Sequence, residues 1–340
     1  MTETELYLLY RQGFEKVLAI LLHKQNKGKY AEREKAILAD INKILLEIEA
    51  ETDNFSKNTI AETYQSSRLT AYNALAITAP KTLAGVDKRT IRELKNIFGN
   101  QIYDGLSQVK RNINKVVQKI AIEQKISGGK MREKVSDAVD ILNKQNIFVF
   151  EDKLGRAYNL AGYAEMAIKT VQTSAVNKAI FNAGDRLEND LVKMSSHITS
   201  CPLCAMYQGR VYSMSGKDKR YPAMSSINNG AVTRYSTLHP QCRHRFTLYV
   251  EDLDDNAENN RRLSNQPFVD NRTEEQKRKY LVKQQINAYK NRKVKINEKI
   301  DIYKHAEKEL TAEQKFNMKK LENSRKLINV KLKELTNSIK

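Results

Sequence analysis

The chain has 340 residues, of which 59 are Lys or Arg and 40 are Asp or Glu, a formal net charge of +19. With 13 Gly, 5 Pro and no Trp it excludes a collagen-like repeat, Pro-rich disorder and an all-β sandwich, while 40% hydrophobic residues suffice for a core. The longest unbroken apolar run, Val17–Leu22, is far short of the roughly 20 residues of a membrane-spanning helix, so no membrane partner is expected. The opening residues, Met1 to Glu5, are acidic and lack the basic segment of a secretory signal. The expectation is a soluble, basic, helix-rich protein made in a cytoplasm, and the length suits two or three structural units.

In chain order, the spacing predicts a series of long amphipathic helices over 1–145. Thr2 and Glu5 stand at capping-box spacing, and a helix from there to Leu22 would bury Leu6, Leu9, Phe14, Val17, Leu18 and Leu21. Lys27-Gly28-Lys29 should break it. Ile37, Ile41, Ile44 and Ile48 repeat at helical intervals, and a third helix is expected from Ile60 to Ala76, stopped by Ala79-Pro80. From Leu94 to Ile120 the residues Ile102, Leu106, Val109, Ile113, Val116 and Ile120 lie on one seam, closed by Ser127-Gly128-Gly129 ahead of a shorter helix to about Leu142.

The pattern changes at Asn146. Ile147–Phe150 and Arg156–Leu160 read as a β-hairpin with Gly155 at a left-handed turn position. A helix over about 162–187 and a strand over 191–195 complete an expected α+β module spanning 146–252. The polar stretch 253–270 reads as a linker. Over 271–340 the chain holds 20 Lys or Arg against 9 Asp or Glu, a surplus of 11. Thr273-Glu-Glu-Gln276 and Thr311-Ala-Glu-Gln314 are capping-box starts of two heptad helices. Val282, Ile286, Tyr289, Ile296, Ile300 and Tyr303 form one seam, with Lys293 in one slot. Met318, Leu321, Ile328, Leu332, Leu335 and Ile339 form the other, so a helical hairpin, or a coiled coil through which copies self-associate, is expected. The fold class is therefore mainly α, with long N-terminal helices, a small α+β segment clipped by zinc, and this basic helical tail.

All three cysteines fall between Cys201 and Cys242, too few for a disulfide framework and close enough for local chemistry. Cys201-Pro-Leu-Cys204 has the spacing of a metal knuckle, in which two thiolates point at one ion. His239-Pro-Gln-Cys242 supplies a second pair, and Cys201, Cys204, His239 and Cys242 make a tetrahedral Cys3His set suited to a structural Zn²⁺. His197 and His244 are reserve ligands, and the alternative for the whole group is a set of reduced, buried residues. A zinc deaminase would need a Glu near His197, and the stretch 189–250 contains none. A metal-dependent, HNH-like nuclease using the His239–His244 region is the competing enzymatic reading, disfavoured because a closed site leaves no open coordination position.

Several ordered motifs carry a resemblance. They are Phe148-x-Phe150-x-Asp152-x2-Gly155-Arg156, Tyr163-Ala-Glu-Met166-x2-Lys169-Thr170 and Asp190-Leu-Val-x2-Ser195-Ser-His197. Next come Cys201-Pro-Leu-Cys204-Ala-x-Tyr-Gln208-Gly209-x-Val-Tyr-Ser213 and His239-Pro-x-Cys242-Arg243-His244. In these the chain resembles the phage minor capsid protein 2 family, related in its cysteine region to head morphogenesis proteins of Mu-like phages. The match covers about residues 1–252. It departs from the family at Lys169, often Arg, and at Ile198-Thr199-Ser200, where a Gly or Arg is common.

The resemblance implies a non-enzymatic virion protein of a tailed phage, present in few copies and acting in head assembly near the portal vertex, with portal and capsid proteins as partners. The tail then has two readings, a solvated lysine face or contact with double-stranded DNA or an acidic protein surface. For DNA the residues are Lys277, Arg278, Lys279, Lys283, Lys290, Arg292, Lys293 and Lys295. Contact would go through phosphates, independent of base sequence and sensitive to salt.

Overall fold

The computed structural model describes residues 3–23, 30–126, 131–152, 155–306, 308 and 310–339. Its first half is built of α1 (Glu3–His23), α2 (Tyr30–Asn73), α3 (Gly85–Ile126) and α4 (Met131–Lys144). Neither Gly nor Pro occurs within α2, and nothing interrupts its backbone hydrogen bonding. The two helices expected over 37–48 and 60–76 are accordingly one. The stop comes at Asn73, three residues before Ala76, which takes a left-handed φ of 54°, and Pro80 follows. α3 begins at Gly85 rather than near Leu94 because the buried Asp87 carboxylate accepts the Ala84 N–H at its start. The expected breaks at Lys27–Lys29 and Ser127–Gly129, and the cap at Thr2, lie outside the described residues.

After α4 come the hairpin strands β1 (Val149–Glu151) and β2 (Ala157–Asn159), paired antiparallel, with Gly155 at φ 72°. α5 (Leu160–Arg186) leads into β3 (Leu191–Met194), which forms the middle of a three-stranded antiparallel sheet of order β4-β3-β5. Between β3 and β4 (Val211–Ser213) lies the short helix α6 (Pro202–Ala205). Between β4 and β5 (Phe246–Leu248) lies α7 (Ala231–Tyr235). The chain ends in α8 (Ala257–Ser264), α9 (Glu274–His305) and α10 (Ala312–Asn337).

These elements form two compact units. The first joins Asp53–Gln101 with Glu165–Tyr280, and the second joins Thr2–Thr52, Ile102–Ala164 and Leu281–Lys340. The units cut across the boundaries expected from sequence, since α2, α3, α5 and α9 each contribute to both.

In the first unit the sheet packs on α5. Val192, Met194, Tyr212 and Phe246 share a core with Ile180, Ala183, Cys204 and Cys242. The segment expected as a linker, 253–270, differs from that reading: it holds α8 and closes over a buried arginine. Arg210, 2% exposed, donates to the carbonyls of Ser264, Gln266 and Pro267 and lies over the Phe268 ring. The bonds go to main-chain carbonyls, which composition does not reveal, and an arginine with three carbonyl acceptors fixes the stretch.

In the second unit the expected seam of α3, from Ile102 to Ile120, is buried throughout, as are Leu6, Phe14, Val17 and Leu21 of α1. Tyr10 takes the place expected for the half-buried Leu9, and Phe14 stacks on Phe148 at 4.1 Å. Gly105 allows close packing: a Cβ there would meet Leu160 Cδ1 at 2.6 Å, and that buried side chain would have to shift. The C-terminal helices pair with each other, Ile296 and Ile300 against Ile328. Both expected capping boxes form, Thr273 with Gln276 and Thr311 with Gln314. The seam is used within one chain, and its flanks are tied into the unit. Asp301 accepts from Arg11 at 2.8 Å, Glu298 from Asn159 at 2.5 Å, and Gln314 exchanges hydrogen bonds with Ser136 and donates to Asp140. Residues 281–340 are therefore part of a folded helical unit and not a free-standing tail.

Candidate metal centre

The cysteine site grows out of β3. Past Met194 the chain turns, and Ser200 is held by Arg272, 8% exposed, whose guanidinium donates to the Ser200 carbonyl, pairs with Asp270 and lies over Tyr280. Cys201 then caps α6. Its extended backbone (φ −71°, ψ 161°) and Pro202 at the first helical position set up the turn, and Cys201 Sγ accepts the Cys204 N–H at 3.3 Å. This is the knuckle that the spacing called for. Gly209, at φ 76°, sends the chain back along β3, with its N–H donated to the Met194 carbonyl. A Cβ there would also stand 2.7 Å from Ser196 Oγ.

The second pair arrives on the excursion between β4 and β5. Its ends are fixed by Asn177 of α5, fully buried, which donates to the Ser236 carbonyl at 2.7 Å and accepts from the Phe246 N–H at 3.0 Å. Gln241 adopts a positive φ of 61° and gives its N–H to Thr170 Oγ1, folding His239 and Cys242 back toward the knuckle.

The donors meet as follows. His239 Nε2 is 3.3 Å from Cys201 Sγ and 3.1 Å from Cys204 Sγ, while Cys204 and Cys242 sulfurs are 3.8 Å apart. His244 Nδ1 lies 3.6 Å from Cys242 Sγ. Tetrahedral zinc with Zn–S bonds of about 2.3 Å and Zn–N bonds of about 2.1 Å has donor-to-donor edges of roughly 3.5–3.8 Å. The Cys204–Cys242 and Cys242–His244 separations match these edges, while the two from His239 are shorter and are those of hydrogen bonds. The donors fall into two groups, Cys201–Cys204–His239 and Cys204–Cys242–His244, each with all its donor atoms within 4.8 Å of one another. The four ligands expected from sequence thus span both groups, joined through Cys204. His244 stands among the donors. His197 lies outside both groups, edge-on to His244 with ring centres 4.6 Å apart and with Nε2 near Ser195 Oγ and the Arg243 carbonyl.

The charges suit a cation. Hydrogen bonding with Cys204, helped by His239, brings the Cys201 thiol down to about 4. Hydrogen bonding with Cys204, helped by His244, does the same for Cys242. Cys204, between two thiolates, is pushed up. His239 is pushed up to about 9 by its contact with Cys201, so a metal displaces a proton from it. Burial and the neighbouring His244 hold His197 low.

The basic residues proposed for α9 do not form one face. At 100° per residue, Arg278 and Arg292 lie within about 40° of each other, whereas Lys290 and Lys295 point elsewhere. These four are exposed. Lys277 and Lys279 are half-buried and paired with Glu274 and Glu275 at 2.8 Å. Lys283 and Lys293 are also half-buried.

Sequence reading missed Arg210, Arg272 and Asn177. Asn177 was findable as the polar residue on the face of α5 that carries Ser174 and Ile180, whereas the two arginines look like ordinary surface charge until their carbonyl acceptors are known.

A helix-dominated protein with a small antiparallel module built round a Cys/His cluster is the class these features define. The family model described as Phage minor capsid protein 2 matches residues 20–329. The chain belongs to the phage minor capsid protein 2 family, a family of virion structural proteins. No curated protein and no solved structure matches it.

Proposed function

We propose that the protein is a low-copy component of a tailed-phage head that acts in head assembly near the portal vertex, bound to portal and capsid proteins. The observation that carries this reading is the extent of the family match, residues 20–329, which takes in the cysteine module and most of the C-terminal hairpin. Cys201, Cys204 and Cys242 with a histidine hold one Zn²⁺ that supplies a cross-link, tying the loop after β3 to the loop before β5. For a module with only three short strands, such a clip takes over part of the work of a hydrophobic core. Arg292 and Lys295, exposed and roughly 60° apart round α9, contact DNA phosphates where the assembled head brings the two together.

Against the nuclease reading stand the orientations of His239 and His244, each with a nitrogen turned to sulfur. The test is co-purification. Affinity-tagged protein expressed with the portal protein of the same phage should retain it through a salt wash. Loss of the portal protein at physiological salt would refute the placement. Divalent-metal-dependent nicking of plasmid DNA, abolished by His244→Ala, would reinstate the enzyme.

A further inference from the structure

The two imidazoles nearest the sulfurs are prepared for ligation in the same way. His239 Nδ1 lies 2.6 Å from the Pro240 carbonyl, which can only accept, so Nδ1 carries a proton, and Nε2, facing Cys201 and Cys204, is the nitrogen whose proton a metal displaces. His244 Nε2 lies 3.2 Å from Gln208 Oε1, and that oxygen is identified as an acceptor because it also takes the His197 N–H at 2.9 Å. His244 Nε2 therefore carries a proton, and Nδ1, which faces Cys242 Sγ, is the nitrogen left to take a metal. An outer nitrogen tied to a carbonyl is the usual support of a metal-ligating histidine. A closed structural zinc site takes four donors, and five stand here, in two groups of three that share Cys204; Cys201 and Cys242 fall in different groups, so one ion bound by both draws them together.

We infer that Cys201, Cys204 and Cys242 are the constant ligands of a single Zn²⁺, and that His239 and His244 are interchangeable as the fourth. This rests on the metal-centre reading above. The two states have the same donor set, three thiolates and one imidazole, and the same net charge, so neither electrostatics nor ligand type separates them by much. They differ in what is released. With His244 bound, the partly exposed His239 and its turn are freed at the surface. With His239 bound, the buried His244 keeps its contacts to Gln208 and Ser200.

The experiment uses full-length protein, with Zn²⁺ per chain by elemental analysis, Zn²⁺ affinity by chelator competition, and Co²⁺ as a spectroscopic stand-in. Wild type should hold one ion. His239→Ala and His244→Ala should each keep one ion and a tetrahedral, thiolate-rich Co²⁺ spectrum. The double variant should lose at least tenfold more affinity than the two single losses multiplied together, the non-additivity expected of mutual substitutes. Where an Ala variant loses its native circular dichroism, His239→Gln and His244→Gln repeat the comparison at similar side-chain size. A single variant as damaging as the double one overturns the exchange and assigns one fixed histidine. Two ions per wild-type chain overturn it in favour of a Cys204-bridged pair. No ion in wild type removes the metal-centre reading itself.

Discussion

Replacing Arg210 by Lys isolates what its guanidinium does for the segment after β5. The side chain is 2% exposed and holds three carbonyls, those of Ser264, Gln266 and Pro267, while lying 4.9 Å over Phe268. A lysine ammonium at the end of a flexible stem reaches one of these, or two with poorer geometry, and loses the planar stacking. A hydrogen bond to a charged group is worth about 1.5–3 kcal/mol, and at least one buried carbonyl is left without its partner. Relief of the buried charge returns part of that, and the expected net loss is about 2–4 kcal/mol, localised to the contacts of α8 and residues 265–268. Because the chain has two compact units, a single melting curve does not report this alone. Hydrogen exchange read by mass spectrometry does. Amides of 257–268 should exchange at least thirtyfold faster in Arg210→Lys, while those of α10 stay unchanged. Equal exchange at 257–268 in the two proteins would refute the clamp and return the segment to the status of a linker.

Purified protein should carry one Zn²⁺ per chain, Cys201→Ser and Cys242→Ser should lose it, and both should be less stable by several kcal/mol, since the binding energy of a structural metal counts toward folding. Unchanged melting in chelator would contradict this. Burial raises the Glu298 carboxyl to about 7, against the Arg11 guanidinium beside it, so it is protonated in the folded state at a pH where the unfolded chain has lost the proton. Its contribution is complete below about 4.5 and is lost as pH rises through about 7, worth roughly 3 kcal/mol at most. Glu298→Gln should flatten that dependence, and identical loss between pH 5 and 8 in both proteins would show the cause to lie elsewhere. Duplex DNA binding, measured by fluorescence titration, should fall with salt. The log–log slope should flatten by about 2 when Arg292 and Lys295, roughly 60° apart round α9, are both changed to Gln, at about 0.9 per phosphate. An unchanged slope would remove α9 from the interface.

Much of the fold was legible because apolar spacing is local information. The seam from Ile102 to Ile120, the strand at Leu191–Met194 and the Thr311–Gln314 capping box all appear where their residues put them. The knuckle was legible because Cys-x2-Cys with Pro after the first Cys makes its own turn. What escaped were features decided by partners far along the chain. Asp301, Glu298 and Gln314 look like surface residues of a tail, and only Arg11, Asn159, Ser136 and Asp140 make them part of a helical unit. Lys293 was placed in a seam slot on spacing alone, where it stands half-buried. Beside His239, His244 reads from sequence only as a reserve ligand. Gln208, distant in sequence, is what turns its Nδ1 toward the sulfur.

A portal-vertex protein of the phage head would be found in virions, in few copies and at one place. Quantitative mass spectrometry of gradient-purified virions, with antibody-gold labelling of the same particles, tests this most directly. The protein should be present in mature heads at a copy number close to that of the portal protein and far below that of the major capsid protein, with gold at a single vertex. Its absence from virions and head precursors, or labelling spread over the whole shell, would contradict that placement.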